Sequence, residues 1–209
     1  MVAPAKNLDL HGSVPDTSST VLLLIDVITD FSFKDGHRVV DSAIKMAANL
    51  RRLKRCCQHA RIPAIYVNDN QGRWREDQQS VVARCLEPGS RGRPMVELLR
   101  PEAEDYFIAK PKHSGFFATA LERLLLYLQA DTLILTGIGT NLCVLFTASD
   151  AHMRDYHLVV PRDCVTAIDP SDHRYALGQM NRFLGADTRE SKRLDLQLLS
   201  QQRVQFESG

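Results

Sequence analysis

The chain has 209 residues, 44% of them hydrophobic, and its 26 Lys and Arg against 25 Asp and Glu leave a formal net charge of +1. That length suits one sizeable domain with its own core, and the even mixing of charge argues against a nucleic-acid surface or a polybasic membrane patch. No apolar run reaches the ~20 residues needed to span a bilayer, and the opening MVAPAKNLDLHGSVPDTSST lacks the apolar centre of a signal peptide. Five cysteines, an odd number with no metal-ligand spacing, read as free thiols in a reducing cytosol, so a cytoplasmic protein is expected.

In chain order, residues 1–20 are rich in Pro, Ser, Thr and Asp and read as a flexible arm. Residues 21–200 read as a single domain and 201–209 as a tail. VLLLID (21–26) is the first strand. Residues 40–60 carry Ala43, Ile44, Ala47, Ala48, Leu50 and Leu53 on a 3.6-residue stripe and predict a helix. Its basic cluster at 51–55 reads as a solvated face. AIYVN (64–68) is the second strand. Residues 71–101 are long, charged and irregular, hold the single tryptophan, Trp74, and read as a lid or an interface loop. YFIA (106–109) is the third strand. Leu121, Leu124, Leu125 and Leu128 mark a helix over 117–129. TLILT (132–136), a helix over 141–154, HLVV (157–160) and a helix over 172–184 follow, with a weaker sixth strand near 185–188. Strands apolar on both faces, alternating with helices, predict an α/β fold. The expected form is a three-layer α-β-α sandwich around a doubly wound, mainly parallel six-stranded sheet.

Ligands of open parallel sheets bind beyond the carboxyl ends of the strands. The first strand ends in Asp26, the second in Asn68-Asp69, the third in Lys110, and the fourth in Gly137-Ile138-Gly139-Thr140-Asn141 followed by Cys143. An acid, a base and a thiol therefore project towards one edge. A reversal of strand order between the first and fourth strands would make Asp26 and Cys143 neighbours. Asp26 follows four aliphatics, where burial improves a carboxylate as a proton acceptor. Lys110 ends its strand directly; Lys112 lies close enough to play the same part. Thr140 or Asn141 can cap the next helix. Cys143 then falls in the first turn, where the dipole favours a thiolate and backbone N–H groups can hold an oxyanion.

LLLIDVITDF, KPKHSGFFATALERLL and TGIGTNLCVLFTASDAHMRDY, in that order, resemble the isochorismatase-like cysteine hydrolases, a superfamily that includes nicotinamidase and N-carbamoylsarcosine amidohydrolase. The resemblance implies that Cys143 is the nucleophile, Asp26 its base and Lys110 the polarising cation. It further implies an oxyanion hole from the N–H groups of Gly139 and Cys143 and a cis Ile138–Gly139 peptide. Phe31 and Phe116 match aromatic pocket positions. Asn68, Trp74, His113 and Thr140 complete the candidate substrate pocket; Arg73, Trp74 and Arg75 either reach it or line a subunit interface. The metal-ligand cluster of nicotinamidases has no counterpart, because residues 68–74 contain no histidine. No metal and no cofactor are expected. The cysteine favours amide or ureido hydrolysis through a thioester over vinyl-ether cleavage. The implied partner is a small-molecule amide or ureido substrate, with no nucleic acid and no membrane, in a homo-oligomer. The alternatives are a hydrolase of another small molecule, or a non-catalytic binding member of the same fold. A dinucleotide-binding domain fits poorly, since no G-x-G-x-x-G follows the first strand.

Overall fold

Alternate residues of the first strand enter two different cores. In the computed structural model, which describes residues 17–201, β1 (Thr20–Ile25) is buried throughout. Leu22 and Leu24 join one apolar cluster with Ala43, Leu50, Tyr66 and Met95. Val21, Leu23 and Ile25 join another with Leu125, Leu135, Ala148 and Met180. A side-chain period of two forces this division, and it requires helices on both sheet faces. α1 (Val40–His59) supplies the first face. α4 (Leu121–Leu128), α5 (Leu145–His152) and α6 (Pro170–Leu184) supply the second.

The other main strands are β2 (Ala64–Asp69), β3 (Tyr106–Lys110), β4 (Thr132–Ile138) and β5 (His157–Val159). They pair in parallel in the order β3-β2-β1-β4-β5. This is the predicted doubly wound three-layer sandwich, with its reversal between β1 and β4. The sixth strand is not where the sequence suggests. It is β6 (Val165–Thr166), two residues paired with the end of β4. Residues 185–188 contribute only an isolated bridge, Asp187 with Val159.

Other boundaries move too. Residues 71–101 are not irregular: they hold α2 (Gln78–Cys85) and α3 (Arg93–Leu98). Their apolar spacing, Val82 with Cys85 and Met95 with Val96 and Leu99, is masked in sequence by charged neighbours, yet all five are buried. Within the basic cluster, Arg51, Arg52 and Arg55 are exposed, whereas Lys54 is buried and pairs with Asp105 at 2.7 Å. Most of the expected N-terminal arm lies outside the described residues, but Ser18 and Ser19 are buried and β1 starts at Thr20. The last described element is α7 (Leu196–Gln201), and 202–209 lie outside the described residues.

Across the β1–β4 pair Gly137 registers with Ile25. Its φ is +110°, and an added Cβ would stand 1.9 Å from the Ile25 carbonyl oxygen. A side chain there is excluded by both backbone conformation and space. Gly137→Ala should destabilise the fold by about 3 kcal/mol or more, read as a lowered midpoint in urea denaturation.

Candidate active site

Strands β3, β2, β1 and β4 end side by side, and their ends supply the polar groups. β1 stops at Ile25, and Asp26 takes a left-handed backbone with φ 52°. One oxygen of its carboxylate accepts from the Asp69 N–H at 2.6 Å. The other meets the Lys110 ammonium at 2.9 Å. Lys110 is the last residue of β3 and has no solvent exposure. Because β2 lies between β3 and β1, this lysine reaches across the end of β2. Its Nζ also donates to the Lys112 carbonyl at 3.1 Å, lies 3.5 Å from Asp69 Oδ2, and stands 3.6 Å from Cys143 Sγ. The thiol in turn hydrogen-bonds to the Asp26 carboxylate. Asp26, Lys110 and Cys143 thus form a closed triangle.

Cys143 sits in a π turn, Thr140–Val144, that joins β4 to α5. The side chains of Thr140 and Asn141 do not cap it. Gly139 occupies the cap position without a side-chain bond; its carbonyl accepts from Leu142 N at 3.0 Å and Val144 N at 3.1 Å. Thr140 Oγ1 and His173 Nδ1 are 2.8 Å apart, and Asn141 donates to Asp172 at 3.3 Å, so both side chains tie the turn to α6 instead. The Ile138–Gly139 peptide is cis.

The electrostatics depart from the expected thiolate. Burial, reinforced by the neighbouring Asp26 charge, pushes the Cys143 thiol up to about 12, and Lys110 offsets only part of that. The resting sulfur therefore keeps its proton at neutral pH. Burial also raises the Asp26 carboxyl, against the opposing pull of Lys110 and the thiol. Burial disfavours the Lys110 charge, but Asp26 and Cys143 more than compensate, so the ammonium is held above the ordinary lysine value.

Asp26 and Cys143 line a cavity of about 780 Å³. Of the six candidate pocket residues, Asn68 and His113 line it. The Asn68 side chain brackets the Ile28 backbone, accepting from its N–H at 3.0 Å and donating to its carbonyl at 2.9 Å. His113 packs on Phe146 at 5.7 Å between ring centroids. The other four do not line the cavity. Phe31 turns inward at φ 57° and is fully buried; Phe33, two residues on, faces the cavity instead. Phe116 packs between Tyr156 and the Arg154 guanidinium. Thr140 is fully buried, and Trp74 is 77% exposed, away from the cavity. Sequence reasoning missed Lys34, Arg38, Ile168, Asp169 and Asp172 in the lining; Asp69, the last residue of β2, was within its reach. Among the described residues no group of three or more His, Cys, Asp or Glu is arranged to hold a metal ion, and no helix is long and apolar enough to cross a membrane.

The family model for the Isochorismatase domain matches residues 20–191. The uncharacterised isochorismatase family protein YaaI of Bacillus subtilis is 37% identical over 166 residues, covering 79% of this chain and 91% of that protein. The ureidoacrylate amidohydrolase RutB of Methylorubrum extorquens is 28% identical over 196 residues, covering 81% and 79% respectively. Among solved structures, N-carbamoylsarcosine amidase from Thermoplasma acidophilum superposes with a TM-score of 0.64 at 26% identity, covering 85% of this chain and 99% of that one. The chain belongs to the isochorismatase family.

The buried ion pair makes a clear demand on stability. Removing one partner of such a pair costs about 3–5 kcal/mol, because the remaining charge is left uncompensated. Lys110→Met should destabilise by that order at neutral pH. In the variant the Asp26 pKa rises further. A carboxyl with a raised folded-state pKa contributes stability that is present at low pH and lost as pH rises through that pKa. The deficit relative to the parent should therefore shrink on acidification, which Tm measured across pH will show.

Proposed function

We propose that the protein is a cysteine hydrolase that cleaves the C–N bond of a small amide or ureido compound through a thioester on Cys143. The reading rests on one observation. An ammonium with no solvent exposure stands 2.9 Å from Asp26 and 3.6 Å from Cys143 Sγ, and those two partners line an open cavity. Relatives named for ureidoacrylate and N-carbamoylsarcosine hydrolysis support the same bond class.

In the proposed cycle Asp26 takes the Cys143 proton as the sulfur attacks the carbonyl carbon. The thiol is hydrogen-bonded to that carboxylate already, so the proton has a short path. The backbone N–H groups of Gly139 and Cys143 hold the oxyanion, a device worth about 3–4 kcal/mol per donor in other enzymes. Lys110 keeps Asp26 ionised before attack and stabilises the thiolate as it develops. The carbon–nitrogen bond then breaks, the nitrogen takes the proton from Asp26, and ammonia or an amine leaves. Water enters, gives a proton to Asp26, and its oxygen attacks the thioester carbonyl. Release of the acid returns the proton to sulfur and restores the starting state. The raised thiol pKa suits this order: no free thiolate stands in the resting site.

Three outcomes follow. Cys143→Ala should abolish ammonia release from a screen of small amides and ureido acids while leaving the circular dichroism spectrum unchanged; retention of most activity would exclude a covalent route. Asp26→Asn should reduce turnover by about 10²–10⁴ while leaving the circular dichroism spectrum unchanged. In the pH profile, kcat/KM should fall on acidification through the raised Asp26 pKa and hold on the alkaline side, since Lys110 keeps its charge beyond the ordinary lysine value.

A further inference from the structure

An oxyanion hole works only while its donors keep a fixed spacing. The two N–H groups assigned above, those of Gly139 and Cys143, lie on the stretch that leaves β4 and passes through the π turn Thr140–Val144. A lone π turn is a rare form, often met at functional sites. This one carries no side-chain cap of its own. Its position must therefore be set by other parts of the fold.

Two buried threonines supply the ties. On the far side of Cys143, the Thr147 hydroxyl donates to the Cys143 carbonyl at 2.7 Å and accepts from the Gly115 N–H at 3.0 Å. That joins the turn to α5 and to the loop after β3. On the near side, Thr140 Oγ1 lies 2.8 Å from His173 Nδ1, and Thr140 has no solvent exposure. Thr140 directly follows Gly139 and precedes Cys143 by three positions, so this contact acts between the two donors. The neighbouring bond from Asn141 to Asp172 is longer, 3.3 Å, and both residues line the cavity, where water competes for it.

His173 is a firm anchor. It stands in the first turn of the 15-residue α6, with its N–H bonded to the Asp169 carbonyl at 3.0 Å. Asp169 caps that helix through the Ser171 N–H at 2.7 Å, and Ala176 and Met180 bury it in the core shared with Leu135 and Val144. Burial and the Arg174 charge hold the imidazole below the ordinary histidine value. The ring is thus neutral at neutral pH and pairs with a hydroxyl without bringing a charge near the sulfur. His173 is not among the residues that line the cavity, so its influence on the reaction passes through Thr140.

We propose that His173 is the positioning residue of the oxyanion hole: through the Thr140 hydroxyl it holds the Gly139 and Cys143 N–H groups at the spacing a tetrahedral adduct requires. The inference rests on the covalent route proposed at Cys143 and adds what keeps its donors in place. Loosened donors weaken the state in which charge has moved onto oxygen and leave binding of the planar carbonyl compound nearly unchanged.

The test needs no knowledge of the substrate. The full chain is titrated with acetaldehyde labelled at its carbonyl carbon, and the thiohemiacetal on Cys143 is read by NMR as the signal absent from Cys143→Ala. In that adduct sulfur bonds to the carbonyl carbon, the C=O π pair moves to oxygen, and the thiol proton passes by way of Asp26 to that oxygen; nothing leaves and nothing is oxidised. Thr140→Val and His173→Leu should each weaken the adduct about tenfold or more. Thr140→Ser, which keeps the hydroxyl, and His173→Asn, which puts an amide group in the place of Nδ1, should recover most of the loss. The double variant, Thr140→Val with His173→Leu, should be no weaker than either single change, because both break one contact. Variants that lower Tm but form the adduct as well as the parent chain show a bond that serves stability alone and overturn the inference. Losses that multiply in the double variant, or that the conservative variants fail to recover, overturn it as well. An unaltered chain that forms no adduct at Cys143 overturns the covalent reading itself, and this inference falls with it.

Discussion

An ammonium group buried away from water is tolerable only if its charge is answered at short range. Lys110 is answered on three sides, by Asp26, by Asp69 and by the Lys112 carbonyl. Each answer depends on a strand end being in its place. The pairing of Asn68 with Ala109 and of Asp69 with Lys110 sets how far β3 advances along β2. The hydrogen bond from Asp69 N–H to the Asp26 carboxylate sets how far β1 advances. The ion pair therefore works as a register check on the sheet. A one-residue slip would turn the lysine to the other face and strand a charge in the core.

The sulfur enters this arrangement from the other side of the switch point. β4 can lie against β1 at Gly137 only because that residue has no side chain. The π turn that follows carries Cys143 back over the strand ends. Had the thiol been placed by helix geometry alone, a lowered pKa would follow from the dipole. Burial and the adjacent carboxylate win instead, and the proton stays on sulfur. The proton kept on sulfur leaves no additional negative charge beside the Lys110–Asp26 contact.

Much of this was legible in the sequence, and the reason is physical. Strands buried on both faces leave uninterrupted apolar runs, so VLLLID and TLILT announce themselves, and the first polar residue after each run marks the sheet edge. The chain order of Asp26, Lys110 and Cys143 then needs only the strand order to become a cluster. What escaped depended on backbone direction or on charge balance in three dimensions. Phe31 and Phe33 are alike in sequence, but a left-handed turn sends the first into the core and leaves the second on the cavity. Thr140 carries the signature of a helix cap and is drawn off by His173, which is 33 positions away. Lys54 lies in a basic run and is buried because Asp105 waits on the neighbouring segment. α2 and α3 hide because their buried residues are few and separated by Arg and Glu.

The charged residues that line the cavity differ in how firmly they are held. At the Cys143 end the charged groups satisfy one another and are welded into the sheet, so any change there is paid in stability as well as in reactivity. Lys34 and Arg38, also on the lining, are exposed, and Arg38 ends a short turn. Substituting an exposed side chain with no internal partner shifts stability by no more than about 0.5 kcal/mol. The proposed reaction could thus be kept while these exposed positions change. That division accounts for a fold that holds its polar strand ends fixed and leaves the turn after β1 free to carry whichever side chains a particular substrate requires.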